Sequence, residues 1–103
     1  MIYNVVISEN AENDIKDIYN HIKYSLCAPK AAARIADLIE KQIMSLEYEP
    51  ERFRIYDREP WKSRGMRQVT AENYIIFYIP DNDTRTVTVI RVIYGGRDID
   101  NIL

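Results

Sequence analysis

The sequence predicts an α+β domain: an N-terminal strand, then an antiparallel helical hairpin packed on a mostly antiparallel sheet, then a short C-terminal tail. Three observations carry this. A β-branched run, MIYNVVI, opens the chain. Residues 9–46 then repeat apolar side chains at helical spacing, with a single break at Ala28-Pro29. From Gly65 to Tyr94 the period changes to that of strands.

Each element has a local cause. Residues 1–7 read as a strand from their β-branched content. Ser8 stands at an N-cap position, with Glu9 and Glu12 in the first turn where the helix dipole favours them. Ala11, Ile15, Ile18, Tyr19, Ile22 and Leu26 form one apolar stripe, which predicts that Leu26 is buried. Pro29 suits the first position of a second helix reaching Leu46, with Ala32, Ile35, Leu38, Ile39, Ile43 and Leu46 on its stripe. So short a break makes the two helices a hairpin. Pro50 and Pro60 bracket an arginine-rich connection with an expected edge strand near residues 53–56. GMRQVT alternates with Met66 and Gln68 on one face and Arg67 and Val69 on the other, and residues 71–73 turn. YIIFYI has the near-continuous apolar character of a central strand. PDNDT makes a hairpin loop from residues that bond their own backbone, and TVTVIRVIY returns.

Composition narrows the class. With 47% hydrophobic and 29% charged residues over 103 positions, the chain reads as one folded domain, residues 1–103, and not as disorder. No apolar run nears the roughly 18–20 residues that span a bilayer, so no membrane partner is expected. The N-terminus lacks the basic region and cleavage site of a signal peptide, so a cytoplasmic protein is expected. A single cysteine, Cys27, excludes an intramolecular disulfide and a cysteine-only metal site, and is expected as a small apolar residue near a helix turn. No cofactor or metal is implied.

Charge is uneven. The first fifty residues carry five basic against eight acidic side chains, the remainder nine against eight. Six of those nine lie between Arg52 and Arg67: Arg52, Arg54, Arg58, Lys62, Arg64 and Arg67. This basic segment suits an acidic partner or phosphates, or is a solvated edge interleaved with Asp57 and Glu59. A sequence pI near 5.4 argues against a strong general nucleic-acid binder, and no direct sequence-specific DNA binding by the chain alone is expected.

The last strand runs into Tyr94-Gly95-Gly96-Arg97-Asp98 and an apolar tail. The glycines are expected to let the backbone leave the sheet, and Arg97-Asp98 to fix the turn, while Ile99, Ile102 and Leu103 dock back on the core. Arg97 is either structural or functional, and Tyr94 is either a strand-end aromatic or a site residue.

The element order and the stretches VVISENAENDIKDIYNHI, RGMRQV, NYIIFYI and VIRVIYGGRDIDNIL, together nearly the whole chain, resemble the RelE/ParE superfamily of toxins from type II toxin–antitoxin modules. The GGRD ending is similar to the ParE-like branch, with Tyr94 in the place of a histidine and Gly96 in the place of an arginine. The resemblance implies a growth-inhibiting toxin and a cognate antitoxin as its protein partner.

Two activities follow from the resemblance. ParE-like members inhibit DNA gyrase by binding, and Arg52, Arg54, Arg58, Trp61, Lys62 and Arg97 are then the candidate target- or antitoxin-binding residues. RelE-like members cut messenger RNA on the ribosome without a metal. That chemistry needs a base for the 2′-OH, an acid for the leaving oxygen and cations for the phosphorane charge, and Arg64, Arg67, Tyr94 and Arg97 are its candidates. An arginine of the RelE-like strand is replaced here by Ile75, which stabilises no anion and favours the ParE-like branch. His21 is expected away from the strand ends where the family's sites lie. Trp61 anchors its loop or stacks on a base. A third possibility is a non-toxic member that only binds its antitoxin.

Overall fold

The computed structural model describes residues 2–103. Strand β1 (Asn4–Ile7) leads into helix α1 (Glu9–Asn20), which runs on as a π-helical turn over His21–Ser25, and helix α2 (Pro29–Met44) follows. Strands β2 (Arg67–Ala71), β3 (Tyr74–Asp81) and β4 (Thr86–Tyr94) complete a four-stranded sheet, and helix α3 (Ile99–Ile102) closes the described chain. The strand order is β1-β4-β3-β2, with β1 parallel to β4 and the other pairs antiparallel. No helix among the described residues is long and apolar enough to cross a membrane.

The local signals act as expected at most ends. Ser8 has extended backbone, and its Oγ accepts the Ala11 N–H at 3.1 Å. The same hydroxyl donates to the Ile90 carbonyl at 2.9 Å, so the cap also fastens α1 to β4. Pro29 is the first residue of α2. In the β3–β4 loop the Asp81 carboxylate accepts the N–H groups of Asp83 and Thr84.

The sheet is covered on both faces. The hairpin buries Ala11, Ile22, Ala32, Ile35, Ile39, Ile43 and Leu46 against Val69, Ile76, Tyr78, Val87, Val89 and Val92. On the opposite face Met66, Phe77 and Ile93 are buried beneath Trp61, Ile99, Ile102 and Leu103, so the apolar tail docks back on the core as expected.

Three expectations need correction. Leu26 is 60% exposed, because the π turn inserts a residue into the helical repeat and rotates the end of the stripe outward. The edge strand at residues 53–56 reduces to one bridge, Ile55 to Arg67, and the chain turns away soon after it. Cys27 is exposed in the left-handed region (φ 51°) at the hairpin turn, and is not packed as a small hydrophobe.

Candidate interaction cleft

Where the π turn of the hairpin diverges from the ends of β3 and β4, the surface opens into a cleft of about 720 Å³. Its floor is apolar: Ile18, Ile22 and Ile35 from the hairpin, Val92 and Ile93 from β4. Tyr74 and Tyr94 close one end in an edge-to-face contact, with ring centroids 5.8 Å apart and an interplanar angle of 67°. Burial pushes the Tyr74 phenol above its ordinary range.

Two ion pairs of the rim join separate elements. Arg91 of β4 donates from Nε and Nη2 to the two oxygens of Asp14 on α1, at 2.7 and 2.9 Å. Asp14 Oδ2 also accepts the Val92 N–H at 2.9 Å, and Arg91 Nη1 reaches the Ile102 carbonyl at 3.3 Å. The Asp14 hydrogen bond raises the Arg91 pKa still further. Arg34 of α2 is bonded to Glu72, which turns β2 into β3 at φ 52°. Arg97 lines the cleft with no ion pair among the described residues.

Of the residues proposed for chemistry, Tyr94 and Arg97 meet in this cleft, and Arg64 and Arg67 lie outside it. Arg67 begins β2 opposite Tyr78, in the middle of β3 and four residues along it from Tyr74, which pairs with Tyr94. There it donates to the carbonyls of Glu51 (2.9 Å) and Phe53 (2.6 Å) and lies 3.6 Å from the Glu51 carboxylate, clamping the connection to the sheet. Arg64 lies over the Trp61 ring at 5.2 Å, and Trp61 packs on the Met66–Phe77–Ile93 cluster.

The rest of the basic segment is largely engaged within the chain. Arg52 is turned onto the carbonyls of Ser45, Tyr48 and Glu49 and over the Phe53 ring at 4.4 Å. Lys62 pairs with Asp57 at 3.0 Å, and Arg58 lies 3.8 Å from Asp100. Arg54 is exposed, with no ion pair among the described residues. Asp100 also accepts the Tyr56 hydroxyl at 2.5 Å, and burial together with that carboxylate pushes the Tyr56 phenol up to about 12.

The GGRD turn is built differently from the expectation. Neither Gly95 nor Gly96 has a positive φ. Close approach favours them instead: a Cβ on Gly95 would stand 3.3 Å from the Asn73 carbonyl oxygen, and one on Gly96 2.6 Å from Cε2 of the exposed Tyr94 ring, which would have to turn aside. Nor does Arg97 pair with Asp98, whose carboxylate accepts from the Asn101 side chain.

The sequence places His21 away from the strand ends, yet it lines the cleft, because regular helical spacing sets it on the same face of α1 as Asp14, Asp17 and Ile18. Sequence reasoning also passed over Asp14 and Arg91. Their signal was present: an acid beside the apolar stripe of α1 and a cation inside a β-branched strand, of opposite sign.

Among curated proteins none matches the sequence significantly. The model of the family described as "ParE toxin of type II toxin-antitoxin system, parDE" matches residues 5–99. Similar solved structures include a chain of a chromosomal ParDE system from P. aeruginosa, at TM-score 0.74 and 18% identity, covering 90% of this chain and 96% of that one. Another belongs to the RelBE2 toxin–antitoxin complex of Mycobacterium tuberculosis, at TM-score 0.64 and 22% identity, covering 91% and 99%. A third is the isolated RelE toxin of E. coli, at TM-score 0.65 and 14% identity, covering 98% and 99%. With an N-terminal strand, a helical hairpin and a mixed sheet in this arrangement, the chain belongs to the ParE toxin family of type II toxin–antitoxin systems, within the RelE/ParE superfamily.

Proposed function

We propose that this toxin acts in the cytoplasm by binding DNA gyrase, and that a cognate antitoxin segment laid in the cleft neutralises it. One observation carries the reading: the cleft has an apolar floor and its Arg34 and Arg91 are paired, so that Arg97, near Tyr94, is its one arginine with no ion pair among the described residues. A trough of this kind suits the apolar face of a partner segment with an acidic residue near Arg97. It suits RNA cleavage poorly, because that needs a general acid, a general base and several cations around one phosphate. Ile75 occupies the strand position where the RelE-like pattern has an arginine, and its Cδ1 lies 3.5 Å from where a Gly95 Cβ would stand. Arg67, the candidate cation at the start of β2, is committed to its loop.

The test is induction without antitoxin, scoring growth, gyrase supercoiling and primer extension on messenger RNA in the same cultures. The expected result is arrest with lost supercoiling and no discrete cuts, abolished in Arg97→Ala. Discrete cuts that vanish in Tyr94→Phe would make the protein a ribosome-dependent nuclease instead. No arrest by the wild type would leave only the antitoxin-binding role.

A further inference from the structure

The two edges of the sheet are finished differently. The β2 edge is covered by the chain over its first half, where Gln68 N–H donates to the Arg54 carbonyl at 3.0 Å, Tyr56 N–H donates to the Met66 carbonyl at 2.9 Å and Ile55 bridges Arg67, and farther along the Gln42 side chain donates to the Thr70 carbonyl at 2.9 Å. On the β1 edge the cover stops early. Tyr3 N–H donates to the Glu47 carbonyl at 2.8 Å and Ile2 bridges Tyr48 antiparallel, and then Pro50 ends the added segment.

Beyond that point the edge is open. Asn4 and Ser8 donate to the carbonyls of Arg85 and Val89 on β4, at 2.8 and 3.0 Å. By alternation the N–H and C=O groups of Val5 and Ile7 point the other way, on the side where Tyr3 meets Glu47, and no partner among the described residues takes them. The edge also lacks the usual guards. Residues 1–8 hold no charged side chain and no proline, and Ile2 and Val6, alternate residues on the sheet face away from the hairpin, are 63% and 43% exposed.

We propose that β1 is a strand-addition site, filled by an extended segment of the toxin's protein partner that is β-branched in its middle and basic at its ends. This rests on the antitoxin reading above and names a second surface for the same partner. Val5 and Ile7 offer two donors and two acceptors in strand register, and Val6 offers an apolar contact between them. The flanks set the charge. Glu47 and Glu49 stand at the start of the open edge, and Glu9 and Glu12 just past its end, in the first turn of α1. The cations of that region are turned away, Arg85 over the Tyr3 ring at 5.4 Å and Arg52 onto its carbonyls. The same acids disfavour a second copy of this chain, since antiparallel β1–β1 pairing would set Glu9 of one copy against Glu47 of the other.

The experiment is amide hydrogen exchange on the toxin alone and coexpressed with the antitoxin encoded beside its gene, with Val6→Lys as a variant. In the complex the Val5 and Ile7 amides are expected to slow at least tenfold, while Asn4 and Ser8, already bonded to β4, change little. Val6→Lys is expected to weaken the complex at least tenfold while the free toxin melts within a few degrees of wild type. A complex that forms with Val5 and Ile7 exchanging as before overturns this inference and leaves the antitoxin reading standing. Slowing in the free toxin that grows with its concentration assigns the edge to a second copy and also overturns it. If no complex forms, the antitoxin reading fails and this inference falls with it.

Discussion

Arg91 and Asp14, 77 positions apart in sequence, form a two-point ion pair that joins the middle of β4 to α1. Both side chains are largely withdrawn from water, at 25% and 14% exposure, and the same carboxylate takes the Val92 N–H while the guanidinium reaches the Ile102 carbonyl. Three elements therefore converge on one charge pair at the wall of the cleft.

Removing one partner of such a pair leaves the other charged and unmatched, which costs more than the pair contributes as a unit. Asp14→Ala is expected to destabilise the fold by about 3 kcal/mol, read as a lower urea midpoint with unchanged slope. An unchanged midpoint would mean that solvent replaces the carboxylate at no cost.

Arg67 is expected to behave as a structural clamp. Arg67→Ala removes two charge-assisted bonds to the Glu51 and Phe53 carbonyls and should cost about 2 kcal/mol. Proteolytic nicking should then rise between residues 50 and 66. Toxicity should return at lower temperature, where more of the variant is folded; loss of toxicity in a fully folded variant would give Arg67 a direct role.

Arg97→Ala has the opposite signature. The side chain is exposed and makes no ion pair among the described residues, so stability should stay within about 0.5 kcal/mol. Growth arrest should nonetheless be lost. Retained arrest at equal expression would remove Arg97 from the target surface.

The two glycines should separate by what their new methyl groups meet. Gly96→Ala pushes the Tyr94 ring, an exposed side chain able to turn aside, and should cost under about 1 kcal/mol while breaking the Tyr74–Tyr94 contact. Gly95→Ala meets the Asn73 carbonyl, which already accepts the Gly95 N–H at 2.8 Å, and should cost about 1–2 kcal/mol. Thermal melts, with aromatic proton shifts for Tyr94, check both.

Alkaline pH tests the buried phenols. Tyr78 donates to the Pro50 carbonyl at 2.6 Å, and burial pushes its pKa from 10.0 to about 12. The raised value means that the fold favours the neutral phenol. Its contribution is therefore complete below pH 10 and lost as pH rises from 10 to about 12. The stability gap between wild type and Tyr78→Phe should narrow across that window. A gap constant with pH would show that Tyr78 ionises as freely in the fold as in the unfolded chain.

What the sequence determined by itself is whatever depends on near neighbours along the chain. The Ser8 cap, the Pro29 helix start, the Asp81 loop and the strand period from Arg67 onward are set by bonds and periodicities spanning a few residues, and each stands where its residues place it. The docking of Ile99, Ile102 and Leu103 was legible too, because an apolar tail after a turn has few places to go. Tertiary structure decided the rest. Periodicity cannot show which strand a cation will face, so Arg67 became a clamp and Arg91 an ion pair only once distant elements met. A one-residue π insertion, silent in composition, turned Leu26 out to solvent. The cleft and the open β1 edge are spaces between elements, and such spaces exist only after the elements pack.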